Sequence, residues 1–71
     1  MIGSYTLYPG RTIEVTGIKP NERGEYVVHH RLREDHRHRG KSLLHTRGHE
    51  CYFVADRTRI YMSDLRKETV S

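Results

Sequence analysis

All six histidines of this chain (His29, His30, His36, His38, His45 and His49) fall between residues 29 and 49, together with six of its 13 Lys/Arg: Arg31, Arg33, Arg37, Arg39, Lys41 and Arg47. Only Glu34 and Asp35 oppose them, so this window carries the whole formal charge of +4, and the remainder of the chain balances to zero. Charge gathered on one strand pair and its loop draws a polyanion more strongly than the same charge dispersed. Arg31, Arg33, Arg37, Arg39 and Lys41 occupy alternate positions or nearly so. On an extended ribbon this sets guanidinium groups about 6–7 Å apart along one side. Phosphates of a nucleic-acid strand recur on that scale, and Arg grips each one bidentately. The competing reading is a solvated loop whose charge prevents edge pairing.

Imidazoles at this density raise three other chemistries. His36-x-His38 with the flanking histidines could offer nitrogen ligands to a metal, but structural zinc sites use thiolates and anchored ligands, and Cys51 is the only cysteine. No metal or cofactor is therefore expected. One His as base, another as acid and an Arg on the phosphorane could cleave RNA, yet nothing in the sequence fixes such a pair. The third role is graded charge, with imidazoles adding positive charge in mild acid. His30 lies on the apolar side of its strand and reads as a core or rim histidine. Cys51 alternates with Phe53 and Ala55, an inward and inert position. Tyr52 and Tyr61 fall on the opposite strand faces. There they could stack on bases beside Arg47 and Arg59; packing against an N-terminal arm containing Tyr5, Leu7 and Tyr8 is the preferred reading.

The elements that must position these side chains have a period of two nearly throughout. Thr12–Ile18 points Ile13 and Val15 one way and Thr12, Glu14 and Thr16 the other. Lys19–Gly24 is a turn. Glu25–Arg33 sets Tyr26, Val28, His30 and Leu32 opposite Val27, His29, Arg31 and Arg33. Glu34–Gly40 holds no apolar residue and reads as a mobile basic loop. Lys41–Thr46, His49–Ala55 and Thr58–Met62 are further strands, separated by turns at Arg47-Gly48 and Asp56-Arg57. Ser63–Lys67 reads as about one helical turn with Ser63 as its cap. Residues 1–9 form a lead-in strand or arm.

Five short strands in 71 residues with 34% hydrophobic residues and no Trp suit an all-β, small curled barrel that shares a thin core among all strands. A single domain spanning 1–71 is expected, burying roughly 60% of its unfolded surface. The segment Gly10-Arg-Thr-Ile13-Glu-Val15-Thr-Gly17-Ile18, followed by Gly24-Glu-Tyr26-Val27-Val28, resembles the KOW motif of ribosomal proteins and transcription elongation factors. More broadly it is similar to the SH3-like or Tudor-like small barrels. The resemblance implies a five-stranded SH3-like barrel with a short C-terminal helical turn. Its long charged loop departs from the compact second hairpin usual in KOW-like domains. A Tudor-like aromatic cage would draw on Tyr5, Tyr8, Tyr26, Tyr52, Phe53 and Tyr61.

The expected role is a non-enzymatic basic module contacting DNA or RNA phosphates through Arg31, Arg33, Arg37, Arg39, Lys41 and Arg47, with Arg59 and Tyr61 at the margin. The alternative is a small adaptor or inhibitor, of the compact phage-encoded style, that binds an acidic face of a larger enzyme such as a polymerase. A small ribonuclease is third. No small-molecule ligand is expected. The sequence shows no secretory-signal pattern and no apolar run of the roughly 18 residues a membrane span needs, so a cytoplasmic, non-membrane protein is expected.

Overall fold

Alternating apolar residues become strands wherever a turn residue lets the chain reverse, and this chain reverses repeatedly. The computed structural model describes residues 2–66. They form β1 (Gly3–Leu7), β2 (Arg11–Pro20), β3 (Tyr26–Leu32), β4 (Arg39–Leu43), β5 (His45–Arg47), β6 (Glu50–Ala55) and β7 (Thr58–Tyr61), then a 3₁₀ turn at Met62–Asp64. Two antiparallel sheets result, ordered β1-β2-β3-β4 and β5-β6-β7.

Local chemistry accounts for the reversals. Between β2 and β3, Asn21 Oδ1 accepts from the backbone N–H groups of Arg23 and Glu25, both at 2.9 Å. Gly24 completes that turn at φ +80°, a conformation L side chains resist. Asp56 and Arg57 take φ values of 50° and 59°, the paired left-handed geometry whose twist suits a two-residue hairpin. In β2 the register slips between Val15 and Gly17, leaving Thr16 as the extra residue of a bulge. Its hydroxyl donates to the His29 carbonyl at 3.2 Å.

The sheets bury their inner faces against one another. Leu7, Ile13, Val15, Val28, Phe53, Ala55 and Ile60 form one core cluster, flanked by Tyr5, Ile18, Leu32, Leu44, Met62 and Leu65. Val15 and Val28 come from the first sheet and Phe53 and Ile60 from the second, and all four are fully buried. Each such side chain contributes about 1.5–3 kcal/mol of transfer free energy, so the two sheets stabilise one another through this shared core.

The all-β expectation holds, but the five-stranded closed barrel does not. The lead-in segment is a full strand, with Tyr5 opposite Ile13 in β2. The run Lys41–Thr46 is divided at Leu44, whose N–H donates to the Tyr26 carbonyl at 2.9 Å while its side chain packs on the core. Leu44 is the corner at which the chain leaves one sheet for the other. Leu43, the other half of that apolar pair, is 41% exposed. The sheets remain open. The Ser42 hydroxyl reaches across to the Val54 carbonyl at 2.8 Å, and Arg66 returns to β1 through two 3.0 Å backbone bonds with Ser4. The expected helical turn begins one residue earlier than its sequence signal, with Tyr61 before it and no side-chain cap; Lys67 lies outside the described residues. No helix among the described residues is long and apolar enough to cross a membrane.

Candidate nucleic-acid interface

Strand register builds the candidate site. Glu14 stands opposite Arg31, and Arg31 opposite Arg39, which places a carboxylate and two guanidiniums in one row on the outer face of the first sheet. The neighbouring row sets His29 opposite Lys41. The alternation assigned Glu14 to this face, yet it is only 5% exposed. Residues 33–38 fold back over β2 and cover it. The Arg33 N–H donates to the Thr12 carbonyl at 2.8 Å, and the Thr12 N–H donates to Glu34 Oε1 at 2.8 Å.

Under this cover Glu14 holds the cations that line it. Arg31 Nε lies 3.3 Å from Oε1, Arg33 Nε 3.1 Å from Oε2, and His36 Nε2 3.8 Å from Oε1. Burial acts to raise the Glu14 pKa; hydrogen bonds from Arg33 and Arg31, with their positive charge, outweigh it and leave the group below its ordinary value. The carboxylate is thus ionised and fixes both guanidiniums by their Nε edges.

A cleft of about 520 Å³ opens on this face, lined among others by Thr16, His29, Arg31, His36, Arg39 and Lys41. Arg39 and Lys41 have no ion-pair partner among the described residues. Arg31, Arg39 and Lys41 line this cleft against Glu14, which leaves two net positive charges among these four groups.

The expected basic loop is not a free tip. The Leu32 N–H donates to the His38 carbonyl at 2.9 Å and the His38 N–H to the Asp35 carbonyl at 3.0 Å. Asp35 Oδ1 also accepts from the Arg37 backbone at 3.1 Å. These local bonds compensate for the missing apolar anchor. Arg39 and Gly40, read as loop, already belong to β4.

The eight residues singled out by sequence separate into groups. Arg31, Arg39 and Lys41 meet at the cleft, and Arg33 joins them through Glu14. Arg37 is 92% exposed and pairs with Asp35 at 3.4 Å. Arg47, Arg59 and Tyr61 belong to the second sheet. There Tyr52 stacks on His45 with centroids 5.3 Å apart, meets Tyr61 at 5.4 Å, and carries the Arg59 guanidinium 5.2 Å from its centroid. Register brings His45, Tyr52 and Tyr61 side by side, and Tyr8 of the expected N-terminal arm is 97% exposed.

His30 points to the core side. Its ring stacks on Phe53 at 5.6 Å, and Nε2 lies 2.9 Å from Ser42 Oγ. The one Ser42 proton is committed to the Val54 carbonyl, so Nε2 must donate and the neutral ring keeps its lone pair on Nδ1. Burial, aided by nearby His29, lowers its pKa below the ordinary histidine value. Gly40 leaves room for this ring: a Cβ there would sit 3.2 Å from His30 Cε1, close enough to press on it.

Sequence reasoning missed Glu14 as a site residue. Its usable signal was parity: Glu14, Arg31 and Arg33 share the polar side of adjacent strands, where opposite charges pair across a ladder. Among the described residues, no three His, Cys, Asp or Glu side chains converge as a metal site. Comparison with known proteins finds no match to any family model, curated protein or solved structure.

Proposed function

We propose that this protein is a small non-enzymatic module that binds the phosphate backbone of nucleic acid through the outer face of β2, β3 and β4. The observation that carries this reading is the adjacency of Arg31, Arg39, His29 and Lys41 on neighbouring strands around one open cleft. Glu14 supports it by holding two guanidiniums through their Nε edges, which lowers the ordering cost of a phosphate contact. Arg39 and Lys41 supply the unneutralised charge. Arg37, Arg47, Arg59 and Tyr61 are peripheral. The small-barrel kinship is part of the same proposal: consecutive antiparallel strands, the corner at Leu44 and the helical turn after β7 support an SH3-like ancestry for these open sheets.

Two net charges predict a log–log salt slope of about −1.4 on single strands and about −1.8 on duplex, because each neutralised phosphate releases counterion. Fluorescence anisotropy with labelled DNA and RNA over a salt series tests this. Replacing Arg39 and Lys41 with Ala should weaken binding to every sequence alike, and Arg37→Ala should change little. Absence of any shift, with one defined protein retained from nuclease-treated lysate, would instead favour the adaptor reading.

A further inference from the structure

A second cleft lies on the core side of the same ribbon, and its chemistry differs from the first. Its volume is about 260 Å³, below the roughly 300 Å³ at which pockets for drug-sized ligands begin. Ile13, Leu32 and Ala55 give it an apolar lining, while Arg11, Arg31, Arg39 and Asp56 add charged groups. His30 lines it too. Its Nδ1 lone pair has no protein donor, and no buried side-chain nitrogen or oxygen among the described residues lacks a partner. That nitrogen is therefore not sealed from solvent.

The two clefts are contiguous. His30, Arg31, Arg39 and Gly40 line both. β4 is the edge strand of its sheet, and at Gly40 no side chain rises to separate one cleft from the other. We infer that the smaller cleft receives one unpaired nucleobase from a strand whose phosphate lies on Arg39, an inference that rests on the nucleic-acid reading. The apolar lining takes the ring faces. His30 Nδ1 accepts from a ring or exocyclic N–H, and the Asp56 carboxylate accepts a second one while repelling phosphate toward the outer face. A base in a duplex reaches such a cleft only by flipping out, which costs a few kcal/mol, so the arrangement selects single strands.

The test compares two labelled single strands with equal numbers of phosphates, one of mixed sequence and one fully abasic, by anisotropy at low salt. The intact strand should bind about tenfold more tightly, the scale of one seated base. Two variants locate the effect. Asp56→Asn suits the left-handed backbone there, and His30→Phe keeps the stack on Phe53 but removes the acceptor. Each, once circular dichroism shows it folded, should reduce the intact-to-abasic ratio about threefold. Equal affinity for the two strands overturns the base site and leaves the phosphate face standing. A tenfold ratio that both folded variants preserve places the base elsewhere and also overturns the assignment. Binding of neither strand overturns this inference and the nucleic-acid reading together.

Discussion

Glu14→Gln should make the protein less stable and a better binder of polyanions at once. The carboxylate receives two charge-assisted bonds, at 3.3 Å from Arg31 and 3.1 Å from Arg33. Such bonds contribute about 1.5–3 kcal/mol each when fully desolvated. The two arginine side chains are 36% and 43% exposed, so screening reduces the pair to about 1–2 kcal/mol in total. In a domain of this size that lowers the thermal midpoint by about 5–15 °C. The same change adds one positive charge at the cleft, steepening the single-strand salt slope by about 0.7 and tightening binding at low salt. Urea or thermal unfolding followed by circular dichroism gives the first number, and anisotropy over a salt series gives the second. Unchanged stability together with an unchanged slope would show that Glu14 neither holds the guanidiniums nor shapes the field of the cleft.

Acid should act in two stages. His30 is depressed below its ordinary value of 6.5, so its contribution is complete above that pH and declines as pH falls through the folded-state value; His30→Phe should flatten unfolding free energy in that window. Glu14 is depressed below 4.5, so its contribution is complete above that pH and is lost only in stronger acid, a stage absent from Glu14→Gln. Gly40→Ala should cost about 1–3 kcal/mol by displacing the His30 ring from Phe53 and Ser42, read as a lower urea midpoint. Arg57→Gly, relieving a left-handed non-glycine residue at φ 59°, should raise stability by about 0.5–1 kcal/mol, read as a higher urea midpoint.

The core was legible because alternation depends only on neighbours along the chain. Ile13, Val15, Val28 and Ile60 were placed inward by parity and are buried. The turn at Asp56-Arg57 was legible for a similar reason, since two residues between apolar runs leave room for little else. The division of the chain at Leu44 was not. Leu43 and Leu44 look alike in sequence, and only the meeting of two sheets decides which one packs. Tyr26 shows the same limit: it shares the parity of Val28 but is 54% exposed. The site was half legible. Charge segregation pointed to β3 and β4, but the burial of Glu14 depends on Arg33 and Glu34 both returning to Thr12, a long-range fold-over that no periodicity records. Arg47 and Arg59 were grouped with the patch because they are basic. Register places them on the other sheet, beside Tyr52 and Glu50.

The salt dependence of anisotropy for a labelled single strand, measured on the natural protein and on an Arg39→Ala/Lys41→Ala variant, tests the central claim most directly. The account predicts a slope that becomes shallower by about 1.4 in the variant as two phosphate contacts are lost. Equal slopes in the two proteins, or affinity that does not respond to salt, would contradict it.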